Sequence, residues 1–209
     1  LGLVREALRP VANTRVLGLG LSALVLVLLA YSFTMEPVEG ALYSGMYRLD
    51  AFALFSKRLF LLATALALVL AAEFSPRMEG GGAEQYVITL LAATGMLLIG
   101  SVNDFALLFV ALELITISFY VLTSYLRRQL PSLEAGTKYL IIGALSGSLT
   151  MYGIAYLFGA TGATNLDQVA AALRQHRGGG GIFLFGMVLV LLGLSFKLAA
   201  FPGQMWAPD

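Results

Sequence analysis

The chain has no cysteine, a single histidine, a single tryptophan and little charge. Without thiols it can hold no disulfide, iron–sulfur cluster or thiolate zinc site. A lone His176 cannot build a metal site, and at the end of a short helix it reads as a solvated side chain. Asp, Glu, Lys and Arg make up 12% of the 209 residues, about half the usual share for a soluble domain, and cancel to a net charge of +1. That balance removes the electrostatic case for nucleic acid binding. The triplet Gly80, Gly81 and Gly82 is followed by no Gly-Lys-Ser/Thr, so it is not a phosphate-cradling loop.

What is present is apolar. Apolar residues make up 59% of the chain, and the mean hydropathy is +0.86. Six long apolar runs stand out, over about 16–33, 52–72, 86–100, 105–126, 135–158 and 182–201. A membrane span takes about 20 apolar residues. The expected fold is all-α: one polytopic transmembrane helix bundle over residues 1–209. Asn103 or Asp104 is placed to cap the fourth span. Thr164 and Asp167 have the spacing of a capping box, which opens a short amphipathic helix at about 165–175 with Leu166, Val169, Ala170 and Leu173 on one face. Alternating the spans gathers Arg5, Arg9, Arg15, Arg77, Arg127 and Arg128 on one side, against Arg48, Arg174 and Arg177 on the other. The positive-inside rule assigns the first side to the cytoplasm.

A few charges lie where lipid is expected. Glu113 is more than two turns inside the fourth span, too deep to act as a cap. Its same-face neighbours, Phe109, Val110, Thr116 and Ile117, offer one hydroxyl and no cation, so a charge partner must come from another helix. Lys197 is equally isolated in the last span. Each such charge costs about 2.5–3.5 kcal/mol to insert and persists where it faces protein or water. Five residues after Lys197, Pro202 lacks an amide hydrogen and frees the Leu198 carbonyl, which marks a helix discontinuity at Lys197/Pro202. Lys57 and Arg58 open the second span and read either as snorkelling cations or as the lining of a polar path. Lys138, near the start of the fifth span, reads from position alone as an interfacial anchor or a buried functional charge. Gly143 and Gly147, beside Ser146 and Ser148, mark close helix packing.

Three stretches, VALELITISFYVLTSYLRR, EAGTKYLIIGALSGSLTMYGIAYLFGATGATNL and LGLSFKLAAFPGQMWAPD, resemble the antiporter-like membrane subunits of respiratory NADH:quinone oxidoreductase, complex I. The stretch GATGATNL favours the subunit N family over its larger relatives. The resemblance is good from about residue 95 to 209 and weak before it. It implies that Glu113 and Lys197 form a proton relay, that Lys138 belongs to the same path, and that the helix carrying Lys197 is discontinuous. The family usually shows Pro-Phe-His before the tryptophan, whereas Gly203 and Gln204 follow Pro202 here. The resemblance further implies a proton-translocating subunit without its own cofactor. NADH, FMN, iron–sulfur clusters and quinone are expected on other subunits, and the partners are the other membrane-arm subunits and the lipid bilayer, most naturally a bacterial inner membrane. Against the family's inverted repeats, the chain reads as a fragment with the second repeat absent. Alternative readings are a subunit of a multi-subunit cation/proton antiporter, a subunit of a membrane-bound hydrogenase, or a purely structural membrane subunit.

Overall fold

The computed structural model describes residues 14–38, 40–74, 83–175 and 180–200. Among them are seven helices: α1 (Thr14–Ser32), α2 (Ala51–Phe74), α3 (Ala83–Ile99), α4 (Phe105–Thr123), α5 (Leu130–Thr161), α6 (Leu166–Arg174) and α7 (Gly181–Lys197). A small antiparallel hairpin, β1 (Ala41–Leu42) and β2 (Tyr47–Arg48), joins α1 to α2. The protein is an all-α integral membrane bundle. Its polarity is inverted relative to a soluble domain. Val27, Leu66, Ile141 and Leu184 are exposed, while Ser22, Thr64, Ser118, Ser146 and Thr150 are buried. Small polar side chains serve this interior because helices in lipid gain their association from close packing and hydrogen bonds.

On length and composition, α1, α2, α4 and α5 can each cross a membrane. The apolar helices α3 and α7 have 17 residues each, about 25 Å at 1.5 Å per residue, near the lower limit for a span. Helix α5 begins at Leu130, ahead of the expected 135, because Pro131 sits in its first turn, where a missing amide leaves no helical bond unmade. Asp104 caps α4 by accepting from the amides of Ala106 at 2.8 Å and Leu107 at 3.2 Å. The α6 cap falls one residue later than the capping-box spacing indicates. Asn165 accepts from the Asp167 and Gln168 amides, while Thr164 Oγ1 donates across to Asp104 Oδ2 at 2.7 Å. A distant carboxylate thus takes the hydroxyl that the local pattern reserves for the cap.

Two sub-bundles share the chain. In the first, Val25 of α1, Leu61, Ala65 and Leu68 of α2 and Tyr86 of α3 form one apolar cluster. In the second, Phe105 of α4, Leu157 of α5, Val169 of α6 and Val190 of α7 form another. Helices α3 and α4 pack against each other and join the two. The loops at one end interlock. Asn103 Nδ2 donates to the Gly45 carbonyl and to Asp167, Asn165 Nδ2 donates to the same carbonyl at 2.7 Å, and Arg48 pairs with Asp167 at 2.8 Å. This clasp ties the hairpin, the α3–α4 turn and the α5–α6 turn together at that end of the bundle.

The discontinuity expected at Lys197/Pro202 falls partly outside the described residues. Pro202 lies outside the described residues, and α7 has already ended at Lys197. The Ala199 amide donates to the Phe196 carbonyl at 3.2 Å, and the Ala200 amide to the Ser195 carbonyl at 2.9 Å. This is a Schellman closure, which normally uses glycine at its left-handed position. Here Ala199 occupies it at φ 49°, a conformation that costs an L-residue about 1–2 kcal/mol. Gly193, one turn before this end, packs tightly against α5. Its Cα lies against Thr150 and the Ser146 carbonyl, and its own carbonyl accepts from Ser146 Oγ at 2.8 Å. Glycine is required there for close approach to α5.

Candidate functional site

The end of α7 delivers Lys197 to the middle of α4. Its Nζ lies 2.9 Å from Glu113 Oε1 and 3.3 Å from Thr116 Oγ1. The two side chains retain 8% and 23% of their exposure, so the pair is largely withdrawn from the surface. The other polar atoms of the site are already committed. Thr116 Oγ1 donates to the Leu112 carbonyl at 2.8 Å, and Ser146 Oγ to the Gly193 carbonyl. Lys197 also belongs to the last turn of α7, the negative end of the helix dipole, which favours a cation.

Glycines of α5 make the meeting possible. A Cβ on Gly147 would stand 2.9 Å from Glu113 Oε1. At Gly143 a Cβ would fall on the Tyr120 hydroxyl, and at Gly136 it would lie 2.5 Å from the Ser124 Cβ. On the other side of α5, Gly153 and Gly186 face each other, with each hypothetical Cβ within 3.0 Å of the opposing carbonyl. Helix α5 is thus thinned on two faces, and α4 and α7 are drawn in until their charges touch.

Lys138 is not brought to this pair. It lies nine residues from Gly147 on α5, about 13 Å along the axis and half a turn out of phase at 100° per residue. Its Nζ pairs with Glu134 at 2.6 Å on an exposed helix face. Lys57 and Arg58 are equally remote. Lys57 Nζ donates to the Leu97 carbonyl in the last turn of α3 and lies 5.1 Å from the Tyr47 ring centre. Arg58 donates to the Ser32 carbonyl that ends α1 at 3.0 Å and covers the Phe33 ring. Both cap helix ends, which answers the alternative between snorkelling and a polar path with a third role. His176 lies outside the described residues.

A cavity of about 30 Å³ adjoins Lys197 between Thr116, Tyr139, Gly143, Ser146 and Phe196. Such a volume holds roughly two waters. The tyrosines and glycines around it drew no functional reading from the sequence. The signal was available, since Thr116, Tyr120 and Ser124 follow Glu113 at intervals of three, four and four residues and so share its face. The pair, the helix end and the cavity together form a buried acid–base couple beside a space for water, which is the equipment of proton transfer.

Residues 102–209 match the family described as "NADH:quinone oxidoreductase/Mrp antiporter, TM". Among similar sequences, "NADH-quinone oxidoreductase subunit N 2" of Roseiflexus castenholzii is 39% identical over 207 residues, 96% of this chain and 41% of that protein. "NADH-quinone oxidoreductase subunit N" of Rhizorhabdus wittichii is 42% identical over 168 residues, 80% of this chain and 34% of that protein. The chain therefore spans about two fifths or less of the length of these curated relatives. Among solved structures, a chain of respiratory complex I from Thermus thermophilus with bound Aureothin superposes with a TM-score of 0.72 at 30% identity, covering 100% of this chain and 43% of the other. A chain of an archaeal membrane-bound sulfane sulfur reductase superposes at 0.75 with 24% identity, covering 93% and 41%, which is a likeness of fold.

Proposed function

The chain belongs to the NADH:quinone oxidoreductase/Mrp antiporter membrane family, and on that premise we propose that it works as a proton-translocating, non-redox membrane subunit of the subunit N type. The family name spans oxidoreductase and antiporter chains. The curated relatives at 39% and 42% identity carry the oxidoreductase name, which favours that branch. In this reading the electron carriers (NADH, FMN, iron–sulfur clusters and quinone) reside on other subunits. The partners are the remaining membrane-arm subunits, and the membrane is the bacterial inner membrane.

The observation that carries the reading is the 2.9 Å contact between Lys197 and Glu113 at the C-terminal end of α7. While the two touch, each charge compensates the other. A small movement of the α7 end separates them, and both charges are then uncompensated in a medium of low dielectric. Loss of a proton from Lys197 and gain of one by Glu113 neutralise both. Breaking a buried pair costs about 3–5 kcal/mol. Driving one charge against the membrane potential takes about 2.3 kcal/mol per 100 mV. The two are of the same order, so the pair can hold a proton against the potential and still be reopened by a redox-driven conformational change. Lys138 joins this relay as an outer station, reached through intervening groups or water.

The test uses the intact complex in sealed membrane vesicles, with proton uptake and NADH oxidation followed together. Lys197→Met is expected to abolish proton uptake through this subunit while the complex still assembles, and Lys138→Met to reduce it less. Unchanged uptake in assembled Lys197→Met complex would end the reading. A strict dependence on sodium would move the chain to the antiporter branch, and loss of assembly with coupling intact per complex would make the pair structural.

A further inference from the structure

Helix α4 presents more to α5 than its glutamate. Tyr120 stands seven residues beyond Glu113 on the same face and is only 9% exposed. Its ring meets that of Tyr139 edge-on, with centroids 4.9 Å apart. Its hydroxyl lies against Gly143, at a position that any larger residue would fill, and near Thr116. Yet this hydroxyl closes a hydrogen bond with none of the described residues. Thr116 Oγ1 already gives its one hydrogen to the Leu112 carbonyl and accepts from Lys197, so it has at most a lone pair to offer the phenol and no hydrogen, which leaves the phenol oxygen's own acceptor sites unfilled. A buried phenol is costly to leave unpaired. Gly143 is also part of the wall of the cavity that reaches Lys197. The phenol and the water-sized space beside the amine thus share two neighbours, Gly143 and Tyr139.

We propose that Tyr120 is a positioning residue that orders water in this cavity against Lys197 and so sets the rate at which protons reach the pair. The inference rests on the proton-translocating function proposed above and deepens it. The phenol accepts from one water and donates to the next, keeping its own proton throughout. An excess proton on the cavity water passes to the neutral Lys197 amine, giving the ammonium and leaving a neutral water. No other reactant is needed. The row Glu113, Thr116, Tyr120 and Ser124 points the water path along α4 towards the α4–α5 connection. It also explains why α5 has glycine opposite three of these four side chains, at Gly147, Gly143 and Gly136.

The decisive variant is Tyr120→Phe, which keeps the ring and its contact with Tyr139 and removes only the hydroxyl. In sealed vesicles containing the intact complex, it is expected to slow proton uptake roughly three- to tenfold, the factor for one lost hydrogen bond. The solvent deuterium isotope effect on uptake should rise, and assembly should not change; a purely structural role for the hydroxyl would leave the isotope effect alone. Gly143→Ala, which pushes the ring aside, should reproduce the slowing wherever it assembles. Wild-type rate and isotope effect in Tyr120→Phe overturn the proposal. Lys197→Met in the same vesicles separates the two failures. If its uptake collapses, the error is confined to Tyr120, and if its uptake is also normal, the functional reading falls as well.

Discussion

The two halves of the bundle each draw cations into apolar helices and treat them differently. In the first half, Lys57 and Arg58 extend from the start of α2 to the last carbonyls of α3 and α1. In the second half, Lys197 reaches a carboxylate. A backbone carbonyl is a fixed partial charge and has no second protonation state. A cation held there is locked and serves only to close a helix end. A carboxylate can accept the proton that the lysine loses, so the same kind of burial becomes reversible. In the proposed relay, what sets Lys197 apart from Lys57 and Arg58 is thus the chemistry of its partner more than the depth at which it lies.

The largest effect expected from this contrast is a non-additive one. Replacing Lys197 by Met or Glu113 by Gln alone leaves one charge without its partner and should cost about 3–5 kcal/mol. The double replacement removes both charges together and should cost less than either single change. A double-mutant cycle on the thermal stability of the solubilised complex measures this directly. Proton uptake should be lost in all three variants. Additive costs would mean that the two groups do not feel each other, and the comparison between the halves would lose its basis.

Much of this second half was legible in the sequence. Helical spacing around Glu113 leaves it no cation of its own, so a partner from another helix follows, and Lys197 is that partner in space. The same arithmetic puts Lys138 half a turn out of phase with Gly147, although the family resemblance groups it with the pair. Other features were not legible. A break was expected at Lys197/Pro202, but the closure that ends the helix there uses Ala199 in a left-handed conformation, and alanine carries no signal for that role. The partners of Lys57 and Arg58 are carbonyls of other helices, which every residue possesses and no pattern marks. Gly143 and Gly147 read correctly as sites of close approach, but only the opposing helix reveals that they admit a tyrosine and a carboxylate.

A smaller effect tests that last point. Gly147→Ala introduces a methyl group 2.9 Å from Glu113 Oε1. The atom it meets is the far end of a flexible side chain, so the carboxylate can shift by a few tenths of an ångström and the helices need not part. The expected result is a normally assembled complex whose proton uptake is slowed roughly fivefold, equivalent to weakening one hydrogen bond. The matching change in the first half, a small residue enlarged at Gly20, meets nothing within 4 Å and should leave uptake unchanged. Loss of assembly in Gly147→Ala would show that the glycine serves packing alone.

The smallest effect concerns the locked cation itself. Lys57→Met removes a helix-end contact from a half-buried site, so about 1 kcal/mol of stability should be lost, with proton uptake per assembled complex unchanged. A second readout identifies the cause. Burial pushes the Tyr47 hydroxyl up, but hydrogen bonding with Lys57 and Ser101 and the Lys57 charge outweigh it and hold the group below the ordinary tyrosine value. A depressed acid contributes stability above its unfolded pKa and loses that contribution as pH falls through its folded one. The stability gap between the wild type and Lys57→Met should therefore widen as pH rises towards the ordinary tyrosine range of about 10. In the variant the hydroxyl retains the burial and loses the cation, so tyrosinate absorbance should appear at higher pH. Reduced proton uptake in well-assembled Lys57→Met complex would give this cation a share in transport, and the division between locked and exchangeable partners would no longer separate the two halves.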